Sequence, residues 1–479
     1  MALPTGVPTE MYIDGDWVGG DRPSFAVLDP ATGSEIARVP VASPADVDTA
    51  VSAAHRALPG WAATAPRERA EVLRRTYELM TARREELAWL ISLEMGKPLA
   101  DARAEVGYAA EFFRWFSEEA VRIGGELRTA PSGANRIMTL RRPVGVALLL
   151  TPWNFPAAMA TRKVAPALAA GCTVVLKPAE DTPLTALLLA QLLAEAGTPA
   201  GVVNVLTTDR PAEVASSALA DPRVRKLSFT GSTGVGARLL RQAADRIVNC
   251  SMELGGNDPF IVLDDADLDA AVEGAMLAKM RNGGQACTAA NRFLVQESVA
   301  SVFAEKLAAA MAGLRVGAGT TEKTQLGPLV SRRAVDGVAD KVDRSVAAGA
   351  SVLLGGSRPA GPGYFYPATV LTDVPRDAPV AIEEVFGPVA PIIPVRDETD
   401  ALAVANASEM GLTGYVFASL ERGLALCERL ELGMVGLNRG LVSDPAAPFG
   451  GVKQSGLGRE GGFEGIDEYL ETTYVALSW

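Results

Sequence analysis

The middle of the chain alternates short apolar runs with stretches of helical period. VGVALLL (144–150) and TVVLK (173–177) are continuous apolar or β-branched runs, as expected of strands buried on both faces. AAMATRKVAPALAAG (157–171) and TPLTALLLAQLLAEAG (182–197) have helical spacing and close on glycine, and the second opens on Thr182 with a proline in its first turn. The strand GVVNVL (201–206), the short helix PAEVASSALA (211–220), the strand VRKLSFT (224–230) and the helix GVGARLLRQAAD (234–245) continue the alternation. Strands each followed by a helix predict βαβ units on a parallel sheet.

A second α/β region begins near Leu254. The run 267–284 predicts a helix capped by Asp267 and stopped at Gly283, with Leu268, Val272, Ala275, Met276 and Met280 roughly on one face. Strands follow at RFLVQ (292–296), SVLLGG (351–356) and APIIPV (390–395). Nearer the N-terminus, MYIDGDWV (11–18) reads as an edge hairpin and 100–125 as a helix. The polar, alternating segment 126–144 is either a projecting hairpin that mediates oligomer contacts or a surface loop.

Composition narrows the function classes. With 48% hydrophobic and 21% charged residues in 479, the chain is globular and long enough for two or three domains. A net charge of -12 without a basic block argues against nucleic acid or an anionic membrane surface as partner. The longest uncharged run, 143–161, contains Pro152, Asn154 and Pro156, so it reads as strand, loop and helix and not as a membrane span. The first twenty residues lack the basic and apolar regions of a secretory leader. Cys172, Cys250, Cys287 and Cys427 are far apart, which fits a reducing cytoplasm and offers no zinc site. His55 is the only histidine, so Ser-His-Asp triads and histidine metal sites are improbable and no metal is expected. A catalytic base must then be a carboxylate, a lysine or a second thiol.

Two strand-to-helix turns suit a ligand. TPWNFP (Thr151, Pro152, Trp153 and Asn154 through Pro156) ends a strand, the end where open α/β sheets bind ligands. FTGSTGVG (229–236) leads a strand through Gly231 and Ser232 into a helix, whose free N–H groups attract phosphate. Its G-x-x-G-x-G spacing differs from the common dinucleotide fingerprint and equally suits a turn that needs positive φ. In KPAE (177–180), Lys177 is placed to bond ribose hydroxyls, and Glu180 to accept from a 2′-hydroxyl and repel a 2′-phosphate; a solvated pair at a strand end looks the same. Cys287 follows Gly283 and Gly284, and Glu253 precedes Gly255 and Gly256. A thiol and a carboxylate can run acyl chemistry without histidine, with the Asn154 side chain serving an oxyanion. A lone cysteine is more often a small buried hydrophobe; the combination is what is unusual.

These stretches, TPWNFP, KPAE, FTGST, MELGGNDPFIV, GGQACTAANR, EEVFGPV and PFGGVKQSGLGRE, stand in one order along the chain, which in them resembles the aldehyde dehydrogenase superfamily. The resemblance implies an α/β subunit with a Rossmann-type dinucleotide domain (1–126 and 144–254), an α/β catalytic domain (255–455) and a small β oligomerisation arm (127–143 and 456–479) that makes homodimers or homotetramers. It implies Cys287 as nucleophile, Glu253 as general base, and Asn154 with the Cys287 backbone N–H as oxyanion hole. It implies NAD, with NADP possible, held by Thr151, Pro152, Trp153, Lys177, Pro178, Glu180, Gly231, Ser232, Leu254, Glu384 and Phe386. The implied reaction oxidises a small-molecule aldehyde to an acid through a cysteine thiohemiacetal and a thioester.

Within that superfamily, RKVAPALAAGCTVVLKPAEDTPLTAL and GREGGFEGIDEYLE are most similar to succinate-semialdehyde dehydrogenases. That likeness implies that Arg162, Arg281 and Ser443 bind the substrate's distal carboxylate, a role guanidinium forks suit; Arg281 is also placed as a helix-end cation. Two positions depart from the pattern. Ala289 stands where many of that subfamily carry a second cysteine, so no disulfide switch is expected. Arg439 stands where a smaller or acidic residue is expected, which points to longer or other anionic aldehydes or to a neighbouring subunit. The alternatives are a dehydrogenase for glutarate semialdehyde or an aromatic aldehyde, and a catalytically silent structural member of the fold.

Overall fold

The computed structural model describes residue 3 and residues 6–478. Residues 1, 2, 4 and 5, part of the segment read for a leader, and residue 479, at the end of the expected arm, lie outside the described residues.

The alternating middle of the chain forms the centre of an eight-stranded sheet. Its order is Asp16–Val18, Met11–Ile13, Val203–Val205, Thr173–Lys177, Val146–Leu150, Val224–Thr230, Asn249–Glu253 and Gly456–Leu457. The five strands from Val203–Val205 to Asn249–Glu253 are parallel, and the pairings outside them are antiparallel. Val146–Leu150 and Thr173–Lys177 are buried at every position, as continuous apolar runs require. The first hairpin turns on Asp14 (φ 56°) and Gly15 (φ 91°), two successive positive φ values that match strand twist.

The helix Pro156–Ala170 is buried along its whole length, including Arg162 and Lys163. Proline opens it, and Gly171 (φ 93°) ends it in the left-handed conformation. Helices Pro66–Ala82 and Leu99–Ala120 pack beside it and seal one face of the sheet.

The second sheet has the order Ser351–Leu354, Thr369–Thr372, Val389–Val395, Ala290–Gln296, Asp258–Val262, Thr413–Phe417 and Met434–Leu437. All its pairings are parallel except the first. The helix read from 267–284 stops at Met280, and its buried face is Ala271, Gly274, Ala275 and Ala278, with Leu268, Val272 and Met276 half-buried.

The segment 126–144 is a hairpin and not a loop. Leu127–Thr129 and Arg136–Pro143 join Leu470–Leu477 in a three-stranded antiparallel sheet. Gly456 and Leu457, expected in the arm, instead form the last strand of the first sheet. Glycine permits that pairing, because a Cβ at Gly456 would lie 2.0 Å from the Met252 carbonyl oxygen. Among the described residues no helix is long and apolar enough to cross a membrane.

Candidate active site

The site lies where the segment that crosses from the first sheet to the second meets the loop ahead of a second-sheet strand. Glu253 is the last residue of Asn249–Glu253 in the first sheet, and Asp258 begins Asp258–Val262 in the second. Cys287 lies three residues before the strand Ala290–Gln296. The turn Arg281–Gly284 ahead of it carries Asn282 (φ 55°), Gly283 (φ 60°) and Gly284 (φ 75°). A Cβ at Gly284 would lie 2.1 Å from the Gly387 carbonyl oxygen, so only glycine lets the cysteine loop rest on the loop carrying Glu384 and Phe386.

The Cys287 side chain is half-buried, and Glu253 is buried with the Cys287 thiol beside its carboxylate. Burial pushes the Glu253 carboxyl up to about 7; Arg162 pulls against this and Glu460 adds to it. Burial likewise lifts the Cys287 thiol well above its usual value, reinforced by Glu253 and opposed by Arg162. The resting pair is therefore a neutral thiol beside a carboxyl poised near neutrality, a donor and an acceptor for one proton.

Arg162, expected to clamp a ligand carboxylate, is engaged by the protein itself. Its Nε lies 2.6 Å from Glu460 Oε2 and its Nη2 3.7 Å from Glu253 Oε2, while the guanidinium stands 4.2 Å from the Phe449 ring centroid. Glu460 also pairs with buried Lys163, which donates to Ser228 Oγ at 3.0 Å. Burial alone would raise the Glu460 carboxyl, but Lys163 and Arg162 outweigh it and hold it below its usual value. Arg281 is half-buried, with its guanidinium 5.2 Å from the Phe155 ring centroid and a long 3.4 Å contact to Thr288 Oγ1. Tyr108 lies near Arg162, Arg281 and Cys287, with its hydroxyl buried among them. Ser443 is half-buried in the loop after Met434–Leu437. Arg439 is exposed, and its Nε donates to the Leu441 carbonyl at 2.7 Å, which turns it onto its own loop.

Asn154 is buried, its Oδ1 has no partner, and its backbone carbonyl accepts from Lys97 Nζ (2.7 Å) and Asn282 Nδ2 (2.8 Å). On the other side of the site, Trp153 meets Phe386 edge to face, with ring centroids 5.6 Å apart. Glu384 accepts from Gly256 N–H at 3.4 Å, and burial pushes its carboxyl up to about 7.

The residues expected to hold a dinucleotide, apart from Glu384 and Phe386, line the C-terminal edge of the first sheet. Thr151 N–H donates to the Lys177 carbonyl at 3.2 Å, which joins the 151–154 turn to the 177–180 turn that holds Pro178. Lys177 is buried, and its ion contact to the half-exposed Glu180 is long, 3.9 Å, so the ammonium keeps hydrogen-bonding capacity for a ligand. Gly231 N–H donates to the Glu253 carbonyl at 3.1 Å. Ser232 caps the helix Thr233–Ala244 by position, yet its exposed side chain makes no capping bond and stays available to an anion. Leu254 packs over the next turn, where a Cβ at Gly236 would lie 2.5 Å from its Cδ2. A free cation, a free hydroxyl at a helix N-terminus and two tight glycine turns fit a dinucleotide.

Sequence reading missed Lys97, Asp101, Glu105, Tyr108, Lys163, Asn282 and Glu460. The charges at 97, 101 and 105 recur every fourth position, the one pattern that could have marked them as a single helix face.

Comparison with known proteins places nearly the whole chain in one family. The model of the aldehyde dehydrogenase family matches residues 17–475. A succinate-semialdehyde dehydrogenase of Paenarthrobacter nicotinovorans is 56% identical over 92% of this chain and 99% of its own. A glutarate-semialdehyde dehydrogenase of Pseudomonas putida is 49% identical over 98% of both chains. The crystal structure of a succinate-semialdehyde dehydrogenase from Burkholderia pseudomallei superposes with a TM-score of 0.98 at 47% identity, covering 99% of both chains. Matched over nearly its whole length, the chain belongs to the aldehyde dehydrogenase family.

Proposed function

We propose that this aldehyde dehydrogenase oxidises an aldehyde with a distal carboxylate, succinic semialdehyde first, to the corresponding diacid. The observation that carries the reading is Glu253, held near neutrality beside Cys287 at the junction of the two sheets. The cofactor is NAD or NADP, held by Lys177, Glu180, Ser232, Glu384 and Phe386, and it supplies the hydride acceptor.

The chemistry follows from the residues. Glu253 takes the Cys287 proton as sulfur bonds to the aldehyde carbon. Asn154 and the Cys287 backbone N–H stabilise the oxyanion of the thiohemiacetal. Loss of hydride from that carbon leaves a thioester on Cys287. Glu253 releases the thiol proton to solvent, then takes one from water, whose oxygen attacks the thioester; the sulfur leaves as a thiolate, regains a proton from Glu253, and the acid departs. A water-activating base favours hydrolysis over acyl transfer to coenzyme A. Arg281 meets the distal anion, while the Arg162 guanidinium stays paired with Glu460 and adds its positive charge to the pocket. Relatives named for succinate semialdehyde and glutarate semialdehyde, whose substrates differ by one methylene, support the substrate class. The exposed Leu127 and Tyr474 on the three-stranded sheet support assembly into homodimers or homotetramers.

Steady-state kinetics with succinic semialdehyde, glutarate semialdehyde and benzaldehyde, each with both dinucleotides, test the reading. A preference of about a hundredfold for the semialdehydes over benzaldehyde is expected from a charge-assisted carboxylate contact of ~2–3 kcal/mol. Equal kcat/KM for all three sinks the substrate assignment.

A further inference from the structure

The start of the helix Leu99–Ala120 carries charge where a buried helix face would ordinarily be apolar. Lys97, just before it, and Glu105 are buried, and Asp101 stands half-buried between them. Spaced by four, the three share one side of the segment. Each has partners in the catalytic loops. Lys97 Nζ donates to the Asn154 backbone carbonyl at 2.7 Å and to Glu105 Oε2 at 2.5 Å. Glu105 Oε1 accepts from the Ala157 and Ala158 N–H groups, at 2.9 and 3.3 Å, in the first turn of the helix that follows Asn154. Asp101 Oδ2 accepts from the Asn282 N–H at 2.8 Å, and Asn282 Nδ2 reaches across to the Asn154 carbonyl at 2.8 Å and back to the Gln285 carbonyl at 2.9 Å.

The loop holding Asn154 and the loop leading to Cys287 therefore share one frame. The Asn154 carbonyl takes two donors, one from each side, which fixes the peptide plane from which its side chain projects. Asn282 keeps its left-handed backbone (φ 55°) because Asp101 holds its N–H and two carbonyls hold its side chain. Buried charges unpaired in this place would be costly, so the cluster persists as a connected whole.

We infer that Lys97, Asp101 and Glu105 are positioning residues that set the distance between the two halves of the oxyanion hole, the Asn154 side chain and the Cys287 backbone N–H. The inference rests on the proposed role of Asn154. It separates the oxyanion hole from the thiol: the frame holds the donors and leaves the Cys287 sulfur to Glu253.

The test compares single-turnover hydride transfer, which needs the oxyanion hole, with alkylation of Cys287 by iodoacetamide, which does not. Asp101→Ala removes the acceptor for Asn282 N–H, and Asn282→Gly keeps the positive φ but removes the side-chain donor. Each is expected to slow hydride transfer about tenfold or more, since a displacement of about 1 Å in an aligned site can cost a hundredfold, while alkylation stays within about twofold. Asp101→Asn, which retains an oxygen acceptor, is expected to recover most of the loss. The second variant keeps the test decisive if the first does not fold. Unchanged hydride transfer, an equal fall in both rates, or no recovery in Asp101→Asn overturns the inference. Asn154→Ala is the control: if it leaves hydride transfer intact, the proposed oxyanion role itself has failed.

Discussion

The two large sheets meet head to tail, and the difference between their facing edges explains the division of labour in the site. The first sheet presents the C-terminal ends of its parallel strands, with the turns at Thr151, Lys177 and Gly231. The second presents the N-terminal ends of its strands, with Gly256 before Asp258–Val262 and Cys287 before Ala290–Gln296. Open α/β sheets bind ligands at strand C-termini, and the first sheet follows that rule. The second sheet does not; in the proposed mechanism it lends its opposite edge to reach a ligand held by its neighbour. The proposed nucleophile thus comes from the side where the rule would not look.

The comparison can be broken most severely at the second edge. Cys287→Ala is expected to abolish aldehyde oxidation, a loss of about a thousandfold or more, while dinucleotide binding by fluorescence titration is retained on the first sheet. Loss of both together would mean the two edges are not separable.

Glu253 joins the edges, and Glu253→Gln is expected to lower steady-state turnover about a hundredfold and to slow the burst of reduced dinucleotide as well, because one carboxylate takes both the Cys287 proton and the water proton. Its carboxyl titrates near 7. The base acts deprotonated, so wild-type deacylation should rise with pH through about 7 and level off above it. A Glu253→Gln profile with the same rising limb would assign the titration elsewhere.

Arg281→Ala is expected to lower kcat/KM for succinic semialdehyde by about ten- to a hundredfold, as loss of a charge-assisted contact, with benzaldehyde little affected. The smallest effect should lie at the cofactor end. Glu180→Ala is expected to raise KM for NAD by a few fold and to narrow the gap between NAD and NADP, since a carboxylate near the 2′ position repels phosphate.

What could be read from sequence divides along the same line. The turns at Thr151, Lys177 and Gly231 were legible because each is local: an apolar strand, a glycine or proline signal and a helix follow one another within a few residues. Cys287 and Glu253 were legible as an unusual combination, and their family resemblance supplied the roles. The frame around Asn154 was not, because its bonds join residues 57 and 128 positions apart. Glu460 was hidden for the same reason, since its pairing with Lys163 spans 297 positions. The pairing of Arg162 with Glu460 and Glu253 was hidden in the same way, since neither carboxylate lies near it in sequence.

Glu460 has a consequence for how the enzyme comes into being. During synthesis the thiol, the base and both buried cations, Arg162 and Lys163, leave the ribosome long before the acid that neutralises them. Until the stretch carrying Glu460 emerges and docks, Lys163 has no buried counter-charge and Arg162 has only its longer, 3.7 Å contact to Glu253, so closing the interior around them is unfavourable. A nascent or truncated chain that lacks Glu460 should therefore hold the complete reactive pair yet stay open and inert, with ignition deferred until that acid is in place.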